Sequence, residues 1–276
     1  MKVAAINDLS GFGKCSLVAD MTVLAAMGIQ CCPLPTAVLS AQTGYASFYS
    51  KDLTEIIPEY VREWKNQEEV FDGIITGFMM NSHQAMSSLE LIKNLKSEGT
   101  KVLVDPVMGD DGHTYKNFSK ELLETIREMV KESDIITPNL TELILLAGEN
   151  PDRIMKLKGD DLIDEIRRLS LLLGGDKGKT VAVTGIPLLK DDIIGNFILA
   201  NKESRVITSE SNGVHYSGTG DLFSAVFLGE CLRGGSAFGA AELASRFILS
   251  SVKDTEKDSP PRAGIEYEKS LRLLIK

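Results

Sequence analysis

Ser217-Gly218-Thr219-Gly220-Asp221 runs directly into Leu222-Phe223-Ser224-Ala225-Val226-Phe227-Leu228. A glycine-rich turn thus opens onto an almost wholly apolar segment, which predicts the first turn of a buried helix. Free backbone N–H groups and the positive end of the helix dipole converge at such a mouth and suit it to an anion. The glycines let the backbone approach a phosphate, and Asp221 beside it can accept the proton of an attacking hydroxyl. A plainer account makes Asp221 a first-turn carboxylate favoured by the dipole after an ordinary turn. Taken alone, the stretch supports both accounts about equally.

Outward from this turn, short aliphatic runs alternate with longer segments of helical period, the pattern of βαβ units. Strands are predicted at 3–6, 29–34, 73–76, 101–104, 135–137, 180–183, 195–199 and 205–208. Helices are predicted at 14–27, 52–64, 82–96, 119–131, 140–147, 161–173, 220–232, 237–251 and 264–274. The fold class is α/β, a mostly parallel central sheet with helices on both faces. The last two strands follow each other across a short polar gap, which predicts an antiparallel edge. Residues 174–179 read as a helix-to-strand turn, so residues 1–276 are expected to form one domain.

Composition narrows the class further. The chain of 276 residues is 43% hydrophobic, enough for a sizeable core. Its 30 Lys and Arg against 39 Asp and Glu give a formal charge of -9, which disfavours nucleic acid and anionic membrane as partners. Cys15, Cys31, Cys32 and Cys231 contain no CxxC pair and read as reduced thiols. No signal-like segment and no run of about 20 apolar residues is present, so a soluble, cytoplasmic protein is expected.

Ser10-Gly11-Phe12-Gly13-Lys14-Cys15-Ser16 follows the first strand, where nucleotide-binding loops often sit. A Walker A loop would need glycine at Asp8 and a hydroxyl at Cys15, and a dinucleotide fingerprint would need glycine or alanine at Ser16. Both readings fail. Asp8 and Ser10 nevertheless lie at the carboxyl end of a strand, where open α/β sheets bind ligands.

Two further segments carry polar groups to the same end of the sheet. In Lys101-Val102-Leu103-Val104-Asp105-Pro106-Val107-Met108-Gly109-Asp110, proline ends a strand and leaves Asp105 and Asp110 on the crevice side. In Thr137-Pro138-Asn139-Leu140-Thr141-Glu142 the Asn and Glu have capping-box spacing, and spacing alone favours a helix cap. Carboxylates and an amide are also the hard oxygen donors that magnesium prefers.

The Gly218-Thr219-Gly220-Asp221 turn resembles the GTGD signature of the ribokinase-like kinases. Asp105 to Asp110 resembles the DPVxGD segment of the vitamin B6 kinases, and 137–142 resembles their TPNxxE segment. These matches, with Ser40-Ala41-Gln42-Thr43-Gly44-Tyr45 and Thr76-Gly77-Phe78, cover most of the chain. The resemblance implies a three-layer ribokinase-like fold and transfer of the γ-phosphoryl group of ATP to the 5'-hydroxymethyl oxygen of pyridoxal, pyridoxamine or pyridoxine. It makes Asp221 the catalytic base, with Gly218, Thr219 and Gly220 as the anion hole. It places Asp105, Asp110, Asn139 and Thr184 near the nucleotide, and Asp105, Thr137 and Glu142 near Mg2+. A monovalent cation such as K+ and a homodimer are further expectations from the same resemblance.

On the acceptor side the resemblance implies Thr43 and Phe78 beside the pyridine ring and Tyr115 on a flap spanning 110–117. Asp8 and Ser10 would face the ring, and Asp8 is expected to pair with the ammonium of pyridoxamine. Ala41-Gln42-Thr43 stands where many B6 kinases have Asn-His-Thr, and is similar to the hydroxymethylpyrimidine kinases. Phe78 stands where tyrosine is frequent. Hydroxymethylpyrimidine kinase is therefore the alternative reading, and a non-catalytic nucleotide or vitamer-binding protein a third. His83 and His215 lack metal-ligand spacing and read as surface or satisfied histidines, and a plainer account of 110–117 is an ordinary loop with His113 solvated.

Overall fold

Period-two alternation along the strands assigns the two cores. In β1 (Lys2–Ser10), Val3 and Ala5 face one core while Ala4 and Ile6 face the other. The same division continues through β4 (Gly73–Thr76), where Ile74 and Ile75 part, and β5 (Lys101–Val104), where Leu103 opposes Val102 and Val104. Strands buried on both faces need helices on both faces. This computed structural model describes residues 1–190 and 192–275.

The remaining strands are β2 (Gln30–Leu39), β3 (Ser50–Asp52), β6 (Gly109–Asp110), β7 (His113–Thr114), β8 (Ile135–Ile136), β9 (Thr180–Pro187), β10 (Ile193–Ala200) and β11 (Glu203–Glu210). A nine-stranded sheet has the order β11-β10-β9-β8-β5-β4-β1-β2-β3. The run from β9 to β2 is parallel, and β10 and β11 add the antiparallel edge that the sequence predicts. The three-residue β3 adds an unpredicted antiparallel strand at the opposite edge.

Helices α1 (Ser16–Ala26), α8 (Thr219–Leu232) and α9 (Ala237–Asp254) cover one face. Helices α2 (Ile57–Asn66), α3 (Ser82–Leu95), α4 (Lys120–Glu132), α5 (Leu140–Ala147), α6 (Pro151–Ile154) and α7 (Gly159–Leu172) contribute to the other. The result is a three-layer α/β fold. Connections leave β1 towards β2 and leave β4 towards β5, so the winding reverses between β1 and β4. Ligands of open α/β sheets bind at the carboxyl ends of strands at such a reversal.

Several boundaries differ from expectation. The helix expected at 52–64 is β3, a 3-10 turn (Thr54–Ile56) and α2, with Pro58 in the first turn of α2. The helix expected at 264–274 is a 3-10 helix confined to Lys269–Leu273, because Gly264 is held at φ 81, outside helical geometry. Residues 174–179 form a short 3-10 turn (Gly175–Lys177). All four cysteines are free thiols.

Candidate active site

Asn7, the last inward residue of β1 on the Val3 and Ala5 face, begins the site. Its Nδ2 donates to Asp221 Oδ1 at 3.2 Å across 214 residues of chain. Asp221 stands in the first turn of α8, and the first bond of that helix runs from Leu222 N to Gly218 O at 3.0 Å. The amides of Thr219 and Gly220 precede that bond and belong to the helix mouth that favours an anion. Gly218 has φ 82, and a Cβ there would lie 2.6 Å from Lys14 O, so both conformation and space require glycine. The Thr219 hydroxyl donates back to Tyr216 O at 3.1 Å.

The Ser10–Ser16 loop packs against the mouth of α8. Its Ser16 backbone N–H donates to the Asp221 carboxylate. Lys14 and Ser16 both adopt positive φ, 47 and 53, a conformation costing non-glycine residues about 1–3 kcal/mol each. A Cβ on Gly13 would strike Gln42 Cγ at 2.4 Å, and one on Gly264 would strike Gly13 O at 2.5 Å. Gln42 Nε2 donates to Ser217 Oγ at 3.1 Å and to Arg262 O at 2.9 Å, while its Oε1 accepts Gly44 N at 2.6 Å. Four loops thus lock together around the mouth of α8, and Thr43 is carried, exposed, on one of them.

Asp105 ends β5 beside this mouth, its Oδ2 3.9 Å from the position a Cβ on Gly220 would take. Ser224 Oγ donates to that oxygen at 3.1 Å, and Ser224 Oγ and Thr137 Oγ1 are 2.8 Å apart. The Thr137 hydroxyl therefore braces Asp105. Glu142 forms the capping box: its Oε2 accepts Asn139 N at 2.8 Å and Asn139 Oδ1 accepts Glu142 N at 2.9 Å. Glu142 Oε1 accepts Met108 N at 3.0 Å, and Asn139 Nδ2 donates to Gly109 O at 2.7 Å. The cap expected from spacing is real, and it ties α5 to the base of the β6–β7 hairpin. Each carboxylate oxygen has a second acceptor site, so capping does not exhaust Glu142.

The β6–β7 hairpin occupies the first part of the 110–117 segment. Gly112 N donates to Thr141 Oγ1 at 2.8 Å, and Tyr115 N to Met108 O at 2.9 Å. Asp110 and Asp111 are exposed and lie near His215, with one ligand atom of each within 4.8 Å of the others. Thr184 N donates to Pro138 O at 2.9 Å, and Thr184 bridges to Asn139. On the acceptor side Asp8 is 4% exposed and its Oδ2 accepts Ser10 Oγ–H at 2.7 Å. Phe78 is half-buried, and its N–H donates to Asn7 Oδ1 at 3.0 Å.

Burial pushes the Asp221 carboxyl from its ordinary 3.8 up to about 6, with Asp8 adding repulsion and the Ser16 and Asn7 hydrogen bonds opposing it. Asp105 and Glu142 are raised by burial first and by neighbouring carboxylates second, Asp221 for the former and Asp105 for the latter. Asp8 and Asp20 are raised by burial as well. Among the described residues none of these acids forms an ion pair with a lysine or arginine. Buried carboxylates without protein counter-charge suit a hard divalent cation, which lowers their affinity for protons.

Asn7 and Asp20 were not singled out by sequence. A usable signal existed: Asn7 interrupts the apolar series Val3, Ala5 on one strand face. Buried polar residues in such series need a partner.

A sheet reversal, a helix-mouth anion seat and a carboxylate beside it define a small-molecule kinase of the ribokinase-like class. The phosphomethylpyrimidine kinase family profile matches residues 13–262, and the chain belongs to that family. A crystal structure from Bacteroides thetaiotaomicron, provisionally assigned as a phosphomethylpyrimidine kinase and containing pyridoxal, superposes with TM-score 0.90 at 36% identity, covering 99% of this chain and 95% of that one. The pyridoxal kinase of Dictyostelium discoideum is 25% identical over 80% of this chain and 73% of its own length. A bifunctional thiamine biosynthetic enzyme of Arabidopsis thaliana is 28% identical over 96% of this chain, which spans 48% of that protein.

Proposed function

We propose that the protein transfers the γ-phosphoryl group of ATP to the 5'-hydroxymethyl oxygen of a vitamin B6 vitamer. The observation that carries this reading is Asp221, a carboxylate held by Asn7 and Ser16 at the glycine mouth of α8 with Asp105 close by. Asp221 accepts the hydroxyl proton as the oxygen attacks phosphorus. The backbone N–H groups of Gly218, Thr219 and Gly220 stabilise charge on the migrating group. Thr184 and Asn139 border the phosphates, and Asp110 and Tyr115 cover them from the hairpin. Asp8, Ser10, Thr43 and Phe78 surround the acceptor ring. Asp105, braced by Thr137, and Glu142 would hold magnesium, which would supply neutralisation of phosphate charge. The pyridoxal in the Bacteroides protein supports a B6 vitamer as acceptor. We further infer a cytoplasmic homodimer, a reading supported by the likeness to B6 kinases.

A second acceptor is favoured by the family name and the Arabidopsis relative: hydroxymethylpyrimidine. One experiment separates the two. Purified protein is given ATP and Mg2+ with pyridoxal, pyridoxamine, pyridoxine or hydroxymethylpyrimidine, and ADP release is followed. Faster turnover of a B6 vitamer supports the proposal; hydroxymethylpyrimidine as the sole acceptor replaces it; acceptor-independent background alone refutes phosphoryl transfer to either.

A further inference from the structure

The Asn7 amide joins three parts of the site. Its Oδ1 accepts Asp8 N and Phe78 N, both at 3.0 Å, and its Nδ2 donates to Asp221 Oδ1 and Asp20 Oδ2, both at 3.2 Å. We propose that Asn7 is a positioning residue for the transfer: it fixes one oxygen of Asp221, leaving the other for the acceptor hydroxyl, and grips the strand end that bears Phe78. This inference rests on the kinase reading above.

Two backbone donors on Oδ1 settle which end of the amide faces the acids, because a flipped amide would oppose N–H to N–H. Both hydrogens of Nδ2 are then spent, one on each carboxylate. Asn7 is thus a neutral double donor inserted between two buried acids, a task that neither apolar nor acidic side chains can perform. Its position is also sterically set. A Cβ on Gly77 would lie 2.4–2.5 Å from three Asn7 side-chain atoms, so Gly77 supplies the room that the amide occupies. Asp20 is 1% exposed, and among the described residues its Oδ1 has no hydrogen-bond partner. A carboxyl group buried at that cost is a poor choice for packing α1 and a good one for anchoring an amide. A core-filling account explains neither the polarity of Asn7 nor that of Asp20, whose faces otherwise carry Val3, Ala5, Leu17, Val23 and Leu24.

Asn7→Asp tests the donor alone, since it keeps an acceptor for the Asp8 and Phe78 amides and turns an oxygen towards Asp221. The expected result is a loss of about 10²-fold in kcat, the scale for a misplaced reacting group. The KM for ATP should stay within about twofold, because the phosphate seat is untouched. Asp20→Leu, which removes the acceptor on the far side, should lower kcat more than Asp20→Asn, which retains one. Wild-type kcat in Asn7→Asp overturns the inference and leaves the kinase reading intact. If Asn7→Asp does not fold, equal kcat in the two Asp20 variants overturns it. Should wild type transfer nothing to any acceptor, the kinase reading fails, and crystal structures of wild type and Asn7→Asp decide the inference separately. A rotated Asp221 side chain in the variant supports it, and an unmoved one overturns it.

Discussion

Asp221→Asn should give an enzyme that is nearly dead and more stable. Rate first: removing a placed proton acceptor costs about 10²- to 10⁴-fold. Stability follows from burial. The Asp221 carboxyl is raised from 3.8 to about 6, and that difference corresponds to about 3 kcal/mol of penalty on the ionised form. The acid therefore destabilises the folded state progressively as pH rises from 3.8 to about 6, fully above that window and not at all below it. Asparagine removes the penalty but also an acceptor for the Ser16 N–H, worth about 1 kcal/mol. The net gain is about 2 kcal/mol above pH 6, shrinks as the penalty fades on acidification, and becomes a deficit of about 1 kcal/mol below the window, where only the lost hydrogen bond remains. Thermal melts of both proteins in chelator at pH 4, 5, 6 and 8 would be set beside ADP release at pH 8. A variant less stable than wild type at pH 8, or one keeping a tenth of wild-type turnover, would show that Asp221 is neither the buried acid nor the base described here.

Other outcomes follow from the same geometry. Because Asp221 must be ionised to accept a proton, kcat/KM should fall on acidification with a midpoint near 6; a midpoint near 4 would point to an ordinary exposed carboxylate. Gly218→Ala combines φ 82 with a 2.6 Å approach to Lys14 O, so urea unfolding should register a loss of about 1–3 kcal/mol together with a fall in kcat. An unchanged midpoint would mean the mouth of α8 is looser than described. Asp8→Asn should slow pyridoxamine more than pyridoxal, since only the former carries an ammonium to pair with a carboxylate. Equal kcat/KM ratios in variant and wild type would remove that contact.

The parallel body of the sheet was legible because each buried strand announces itself as a short aliphatic run: Gly73–Thr76 and Lys101–Val104 fall where the sequence puts them. The Gly218-Thr219-Gly220-Asp221 mouth was legible because local sequence makes it. What was missed depends on distant neighbours. β3 is a three-residue strand supported by pairing with Ala37, Val38 and Leu39 and by hydrogen bonds from Asn81 and Gln84 to Asp52. Residues 264–274 have a helix-like apolar spacing, yet packing of Gly264 on Gly13 and Ser217, and of Tyr267 on Phe247, overrides it. Asn7 gains its meaning from partners 13, 71 and 214 residues away, which no local pattern reveals.

The crowding of Gly264 against Gly13 and Ser217 has a consequence for synthesis. The chain folds as it is made, amino-terminal parts first. A nascent polypeptide can assemble β1, β2, β4 and β5 early, but the loops around the mouth of α8 close only after residue 264 has cleared the ribosome. Ribosome-stalled chains ending short of that point should be compact and catalytically silent.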